Sequence, residues 1–164
     1  MIILENSKDF TLTVRPIEAS DTNLIYGHFC DLSARSRAKF RPHEFRIEVA
    51  QNFACEGLSD PDCKRFIAIV EKNGAISAAG YCFLSSWREE YPWVGIAVGD
   101  KWQGMGVGKR MMEYIIMVAR QNGKKGLHLN TDKDNIAGQK LYKSCGFVIT
   151  GEGVEDDYKM LLEF

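Results

Sequence analysis

The feature that most constrains this chain is a glycine-rich turn between an apolar run and an amphipathic stretch. Residues 94–98 are apolar and include β-branched side chains, which predicts a buried strand. Residues 111–120 carry apolar side chains at helical spacing. The turn over 103–108 places glycines where that helix begins, so no side chains shield its backbone N–H groups. Because such N–H groups and the positive end of a helix dipole favour phosphate, the turn predicts a site for an anionic cofactor.

The spacing of the glycines excludes two common phosphate-binding loops. A Rossmann turn needs a glycine three residues after Gly106, where this chain has Lys109. A Walker A loop needs a serine or threonine after Gly108 and Lys109, but Arg110 follows them. The pattern that fits is Gln-x-x-Gly-x-Gly over 103–108, which resembles the pyrophosphate loop of the GNAT acetyltransferase superfamily. From this motif alone, a strand-to-helix turn that binds nothing stays an alternative.

A second motif follows after a predicted helix and a predicted strand over 127–131. Residues 135–147 resemble the Asn-x-x-Ala-x-x-Leu-Tyr-x-x-x-Gly-Phe block of the same superfamily. The matching positions are Asn135, Leu141, Tyr142, Gly146 and Phe147, with Gly138 in place of the usual alanine. The resemblance covers essentially the whole chain and is most specific over residues 94–147.

The remaining apolar patterns predict the other elements. Strands are predicted over 11–15, 66–70, 76–84 and 93–98, with a hairpin turn at 72–74. One or two strands are predicted at the C-terminal end, the last of them over 154–162. One helix is predicted to follow Ser20 and Asp21 and to run to about Leu32. The stretch from Ser33 to Cys63 is irregular, with a helix only around 45–53.

The resemblance implies a single mixed α/β domain over residues 1–164. Its central mixed sheet of six to seven strands is flanked by helices, in the order β-α-α-β-β-β-α-β-α-β. It also implies acetyl-CoA as co-substrate, transferred to a primary amine by direct attack in a ternary complex. Two strands, 94–98 and 127–131, are expected to splay apart and expose backbone groups to the cofactor. The cofactor-binding residues implied are Ala97, Val98, Gln103, Gly104, Met105, Gly106, Val107, Gly108, Lys109 and Asn135.

Tyr142 is the candidate general acid, because by resemblance its hydroxyl lies near the sulfur of the thioester. The alternative is a tyrosine that only packs on its helix. Asn135 is also a candidate helix N-cap, and both of its roles can hold together.

No general base can be assigned from the sequence. Trp93 and Asn130 stand where the superfamily often has glutamates. Glu89 and Glu90 are better explained as a solvated loop, and His128 as a packed or surface residue. A water chain or an already neutral amine could take the place of a dedicated base.

The acceptor site is expected to border the basic and aromatic segment 33–45. Arg35, Arg37 and Arg41 are the candidate substrate-binding residues, because guanidinium groups suit an anionic group on the acceptor. A solvated basic helix end is an equally good interpretation.

Composition limits the kinds of molecule that this protein is expected to bind. The 164 residues carry a net charge of −1, which argues against a nucleic-acid binder. The five cysteines show no Cys-x-x-Cys pair or zinc spacing, so no bound metal is expected. Their odd number and scattered positions predict reduced thiols in a cytoplasmic protein. No apolar run is long enough to span a membrane. The expected partner is a small-molecule amine such as an amino acid or amino sugar, with a homodimer as a further possibility. A protein amine as acceptor, or a non-catalytic acyl-CoA sensor or interaction module, are the alternatives.

Overall fold

The computed structural model describes residues 2–7, 10–40, 42–55 and 60–164. The strands are β1 Ile2–Ser7, β2 Phe10–Pro16, β3 Cys63–Lys72, β4 Ala75–Ser85, β5 Trp93–Val98, β6 Gly126–Asp132, β7 Val148–Glu152 and β8 Asp157–Glu163. The helices are α1 Thr22–Asp31, α2 Ala34–Lys39, α3 Ile47–Ala54, α4 Val107–Gln121 and α5 Ile136–Ser144. Short 3₁₀ turns cover Ala19–Asp21 and Asp100–Trp102.

The strands form one mixed sheet in the order β1-β2-β3-β4-β5-β6-β8-β7. Neighbouring strands are antiparallel except β5 and β6, which are parallel and connected through α4. In the described chain, β5 and β6 share a single registered pair, Trp93 with His128. Beyond that pair the two strands diverge, so the predicted splay is confirmed.

Strand alternation separates two apolar cores. On β4, Cys82 and Leu84 face the core beneath α4 and α5, whereas Tyr81 belongs to the core beneath α1 and α3. The first core also contains Met111 of α4, and the second contains Phe29 of α1. Both faces of the sheet are therefore covered by helices, which fixes β5 and β6 between two layers.

The predicted mixed α/β class is confirmed, and the predicted element order is present with additions. The sheet has eight strands rather than six to seven: β1 was not predicted, and β7 is the second of the one or two C-terminal strands that the sequence left open. The last strand was predicted over 154–162; the structure has β8 at Asp157–Glu163 and the separate strand β7 before it. Helix α2 lies in the segment predicted as irregular, where the Ser33 hydroxyl caps it by accepting from the Ser36 N–H at 3.2 Å. None of the helices among the described residues combines the length and apolar character that a membrane span requires.

Candidate active site

The glycine turn before α4 has an open backbone. Gly104 and Gly106 have φ of 74° and 84°, in the left-handed region that glycine adopts without strain. Nothing lies within 4 Å of where a Cβ at either residue would be. Helix α4 begins at Val107, and the N–H groups of its first turn have no carbonyl acceptor within the helix. The turn therefore combines an accessible main chain with the positive end of a helix dipole.

Gln103 holds this turn against the end of β5. Its Nε2 donates to the Val98 carbonyl and to Asp100 Oδ1, both at 3.1 Å. The Asp100 carboxylate also accepts from the Ser33 N–H at 2.6 Å and from the Ser36 hydroxyl. The hydrogen bond from Ser36 is the main reason that the pKa of Asp100 is lowered. The start of α2 and the glycine turn are thus joined through one carboxylate.

Backbone N–H and C=O groups of successive β5 residues point alternately toward β4 and toward β6. The Gly99 N–H donates to the Ala79 carbonyl at 2.9 Å, on the β4 side. Because backbone groups alternate along an antiparallel strand, the N–H and C=O of Val98 point to the opposite edge, where β6 diverges. Those of Ala97 point to its β4 partner Tyr81. Val98 therefore faces the gap and Ala97 faces β4, and the cofactor contacts of both residues stay a prediction.

A cavity of about 370 Å³ occupies the gap between β5 and β6. Phe83 on β4 reaches it because its cross-strand partner is Gly95: a Cβ there would lie 2.2 Å from the Phe83 ring. The lining residues are Lys39, Phe40, Pro42, Phe83, Ser85, Trp93, Val94, Gly95, Ile96, Asn130, Thr131, Asp132, Asn135, Tyr142, Glu155 and Asp157.

Tyr142 and Asn135 both line this cavity from the α5 side. Burial raises the pKa of Tyr142 to about 12, so its phenol stays protonated at neutral pH. Asn135 Oδ1 accepts from the Gly138 N–H and its Nδ2 donates to Thr131 Oγ1, each at 3.1 Å. The predicted N-cap role of Asn135 is therefore confirmed. Gly108 lets α4 approach α5, since a Cβ there would lie 3.1 Å from Leu141 Cδ2.

The splayed strands β5 and β6, the open glycine turn and the tyrosine in the gap agree with a match between this sequence and one protein family. The model of the acetyltransferase (GNAT) family matches residues 28–147, which is most of the chain. The chain belongs to the GNAT family.

The proteins similar to this GNAT protein are named for different acceptors. It is 30% identical over 92 residues to the 5-NmdU N-acetyltransferase of Pseudomonas phage PaMx11, covering 56% of this chain and 63% of that protein. It is 28% identical over 94 residues to the L-amino acid N-acyltransferase MnaT of Escherichia coli, covering 52% of each. The chain spans less than two thirds of the length of the curated relatives it matches. Its fold also matches spermidine N-acetyltransferase from Vibrio cholerae, solved with CoA and spermine, with a TM-score of 0.75, 20% identity and coverage of 93% and 95% of the two chains.

The GNAT cavity contains a buried carboxylate that the sequence motifs do not mark. Asp157 on β8 is 6% exposed, and its Oδ2 accepts from Asn130 Nδ2 at 2.6 Å. Asp157 is the last residue of an acidic run that is typical of a solvated turn, so its burial was not predicted. The signal lies in the register: Asp157 is paired with Asp132 across β8 and β6, on the same face as Asn130.

The positions discussed for a general base lie apart. Trp93 and Asn130, which replace the glutamates frequent in the superfamily, line the cavity. The rings of Trp93 and His128 lie 3.8 Å apart where β5 meets β6, and burial lowers the pKa of His128. Glu89 and Glu90 are exposed, and Glu90 pairs with Lys125 at 2.6 Å.

The three arginines predicted to bind the acceptor are placed differently. Arg37 donates from Nε to the Leu32 carbonyl at 3.0 Å and from Nη2 to the Phe29 carbonyl at 2.8 Å. It therefore caps the carbonyls at the end of α1. Arg35 is exposed, and neither Arg35 nor Arg37 is among the lining residues of the cavity. Arg41 lies outside the described residues, and the role of the three in acceptor binding stays a prediction.

Proposed function

We propose that this protein transfers the acetyl group of acetyl-CoA to the primary amine of a small molecule within a ternary complex. One observation carries the proposal: the open glycine turn at the start of α4 and the Tyr142 phenol lie at the same splayed pair of strands. The turn suits an anion, and the gap offers unpaired main-chain groups beside a proton donor.

The described residues fit CoA in two places. The N–H groups of the turn and first helical turn, residues 104–109, would hold the pyrophosphate. The Val98 N–H, which faces the gap, would hold the pantetheine arm, while its carbonyl already accepts from Gln103. Met105 and Lys109 are exposed beside this turn, and the Lys109 ammonium adds a positive charge near the phosphates.

Tyr142 has the protonation state that the reaction requires. Acetyl-CoA supplies an acetyl thioester, so transfer forms a C–N bond and breaks a C–S bond. Tyr142 would donate its proton to the departing sulfur and regain one from the acylated nitrogen, which returns the phenol to its starting state. A phenol that stays protonated at neutral pH suits this role.

Binding of CoA is tested by thermal unfolding. CoA and acetyl-CoA should raise the Tm, because a ligand that binds only the folded state stabilises it. Gly106→Ala should remove much of this increase, since a Cβ would stand on the open side of the turn. Gly123→Ala is the matched control: Gly123 also has positive φ and open surroundings, but it lies beyond the far end of α4. Both variants lose intrinsic stability, and only Gly106→Ala should lose the CoA effect.

Catalysis is tested by thiol release across a panel of cationic amines, amino acids, amino sugars and peptides. Release with at least one small-molecule amine is the expected result. A wild-type protein without a Tm increase in saturating CoA would overturn the proposal. Binding of CoA without thiol release from any amine would leave a non-catalytic acyl-CoA-binding protein instead.

A further inference from the structure

The two buried aspartates of the described chain are satisfied in different ways. Asp21 is 1% exposed, and its carboxylate accepts from both terminal nitrogens of Arg15, at 2.6 and 2.8 Å. Asp157 is 6% exposed, and among the described residues its Oδ2 accepts from the neutral amide of Asn130 alone. Its Oδ1 has no hydrogen-bond partner. One buried carboxylate therefore has its counter-charge built in, and the other does not.

The position of Asp157 makes this difference informative. Burying a carboxylate without a cation is costly, and buried charges are normally paired. Asp132, which also lines the cavity, is neutralised by Lys39 at 3.3 Å. No lysine or arginine among the residues 10–40, 42–55 and 60–164 forms an ion pair with Asp157. Since Asp157 and Tyr142 line the same cavity, the missing cation is expected from the molecule that enters there.

The rest of the cavity also favours a cation. Four aromatic side chains line it, those of Phe40, Phe83, Trp93 and Tyr142, and the faces of such rings attract ammonium groups. Among the charged lining residues that the structure describes, carboxylates outnumber ammonium groups by three to one: Asp132, Glu155 and Asp157 against Lys39. An acceptor with a carboxylate of its own would meet like charges in this space.

Gly153 fixes the carboxylate in place. Its N–H donates to the Asp157 carbonyl at 2.9 Å. A Cβ at residue 153 would lie 1.9 Å from Asp157 Oδ1, so only glycine leaves room for the carboxylate beside it. Packing against Gly153 on one side and the bond from Asn130 on the other orient Asp157 without neutralising it.

We propose that the acceptor is a cationic amine without a nearby carboxylate, and that Asp157 binds its ammonium group and takes a proton from it. This inference rests on the proposed function. An N–H bond of the ammonium breaks, an O–H bond forms on Asp157, and the nitrogen keeps the electron pair with which it attacks the thioester. Asp157 later loses that proton to solvent. Tyr142, which handles the second proton of the same nitrogen, is unaffected by this step.

The wild-type protein gives the first test, with butylamine, putrescine and γ-aminobutyrate as acceptors of equal carbon-chain length. We expect kcat/KM for the two amines without a carboxylate to exceed that for γ-aminobutyrate by about tenfold or more. Equal or better use of γ-aminobutyrate, or of α-amino acids, would overturn this inference and leave the proposed function intact. Absence of thiol release with every amine in the wider panel would overturn the proposed function itself.

Variants give the second test. Asp157→Asn keeps the shape and removes the charge, so kcat/KM for the better amine should fall by about 10²-fold or more. The CoA-induced increase in Tm should persist, which also shows that the variant is folded. Asp156→Asn is the matched control, because Asp156 is an exposed neighbour that pairs with Lys133 at 3.2 Å outside the cavity lining. Unchanged kinetics in folded Asp157→Asn would overturn the inference.

Discussion

Tyr142 is the residue whose protonation state bears most directly on the proposed acetyl transfer. Its pKa is raised to about 12 by burial, so the phenol is a proton donor throughout the neutral range. Tyr142→Phe should lower kcat by about 10²-fold while the affinity for acetyl-CoA stays near the wild-type value. Steady-state kinetics measures kcat, and calorimetric titration measures the affinity for acetyl-CoA. Tyr114→Phe is the control, because Tyr114 is also buried but packs against Phe66 in the core, with ring centroids 5.5 Å apart. Equal kcat in wild type and Tyr142→Phe, with chemistry rate-limiting, would assign Tyr142 to packing alone.

Residues differ in how far the sequence reveals them. Tyr142 and Asn135 could be predicted as site residues because each stands at a fixed position of a local sequence motif. Asp157 could not be predicted in this way, since its proposed role depends on burial and on Asn130, a neighbour on another strand. Arg37 shows the reverse case: a basic side chain predicted to meet the acceptor is engaged with the carbonyls of α1.

At the scale of elements, α2 and the glycine turn are coupled through Asp100. Its carboxylate accepts from Ser33, Ser36 and Gln103 at once. Asp100→Ala should therefore free both elements and weaken acetyl-CoA binding by on the order of tenfold, as expected for loss of charge-assisted hydrogen bonds. Calorimetric titration with acetyl-CoA measures this change. Asp31→Ala is the control, because that carboxylate pairs only at the surface, with Lys101 at 2.7 Å. Equal affinities for all three proteins would mean that the turn holds its shape without Asp100.

Elements with strong local signals were predicted well. The hairpin between β3 and β4 has Asn73 and Gly74 at positive φ, as its sequence indicates, and β5 and α4 follow their apolar spacing. Strand β7 could not be given bounds from the sequence, because it is short and its residues are mostly exposed, so no apolar alternation marks it. Helix α2 has no buried residue, so its six residues show no apolar periodicity. It is held by hydrogen bonds to Asp100, which is distant in sequence, and such a contact cannot be predicted from the sequence of the helix.

At acidic pH, the stability of the whole molecule should depend on the buried imidazole of His28. Burial lowers the pKa of His28 from 6.5 to about 4, and both ring nitrogens lack hydrogen-bond partners. Between these values the unfolded chain binds a proton that the folded chain does not, so stability falls as the pH falls from 6.5 to about 4. The full loss from this group is about 3 kcal/mol. His28→Met, which cannot titrate and leaves no unpaired polar atom, should match the wild type at neutral pH and exceed it in acid.

Urea unfolding of both proteins at about pH 7.5 and about pH 5 measures this difference. The control is the wild type at the higher pH, where His28 is neutral in both the folded and the unfolded chain. A constant difference in unfolding free energy between the two proteins at both pH values would show that His28 does not cause the acid sensitivity.

The divergence of β5 and β6 has a consequence for how this protein can change over time. The gap is made by the main chain, from hydrogen bonds that two neighbouring strands do not form. Replacing side chains on its wall therefore leaves the gap itself in place. Under the proposed function, substitutions of lining residues other than Tyr142 and Asp157 would change which amines are admitted, while the main chain of the sheet sets the position of the thioester. New acceptors would then be reached without a new fold.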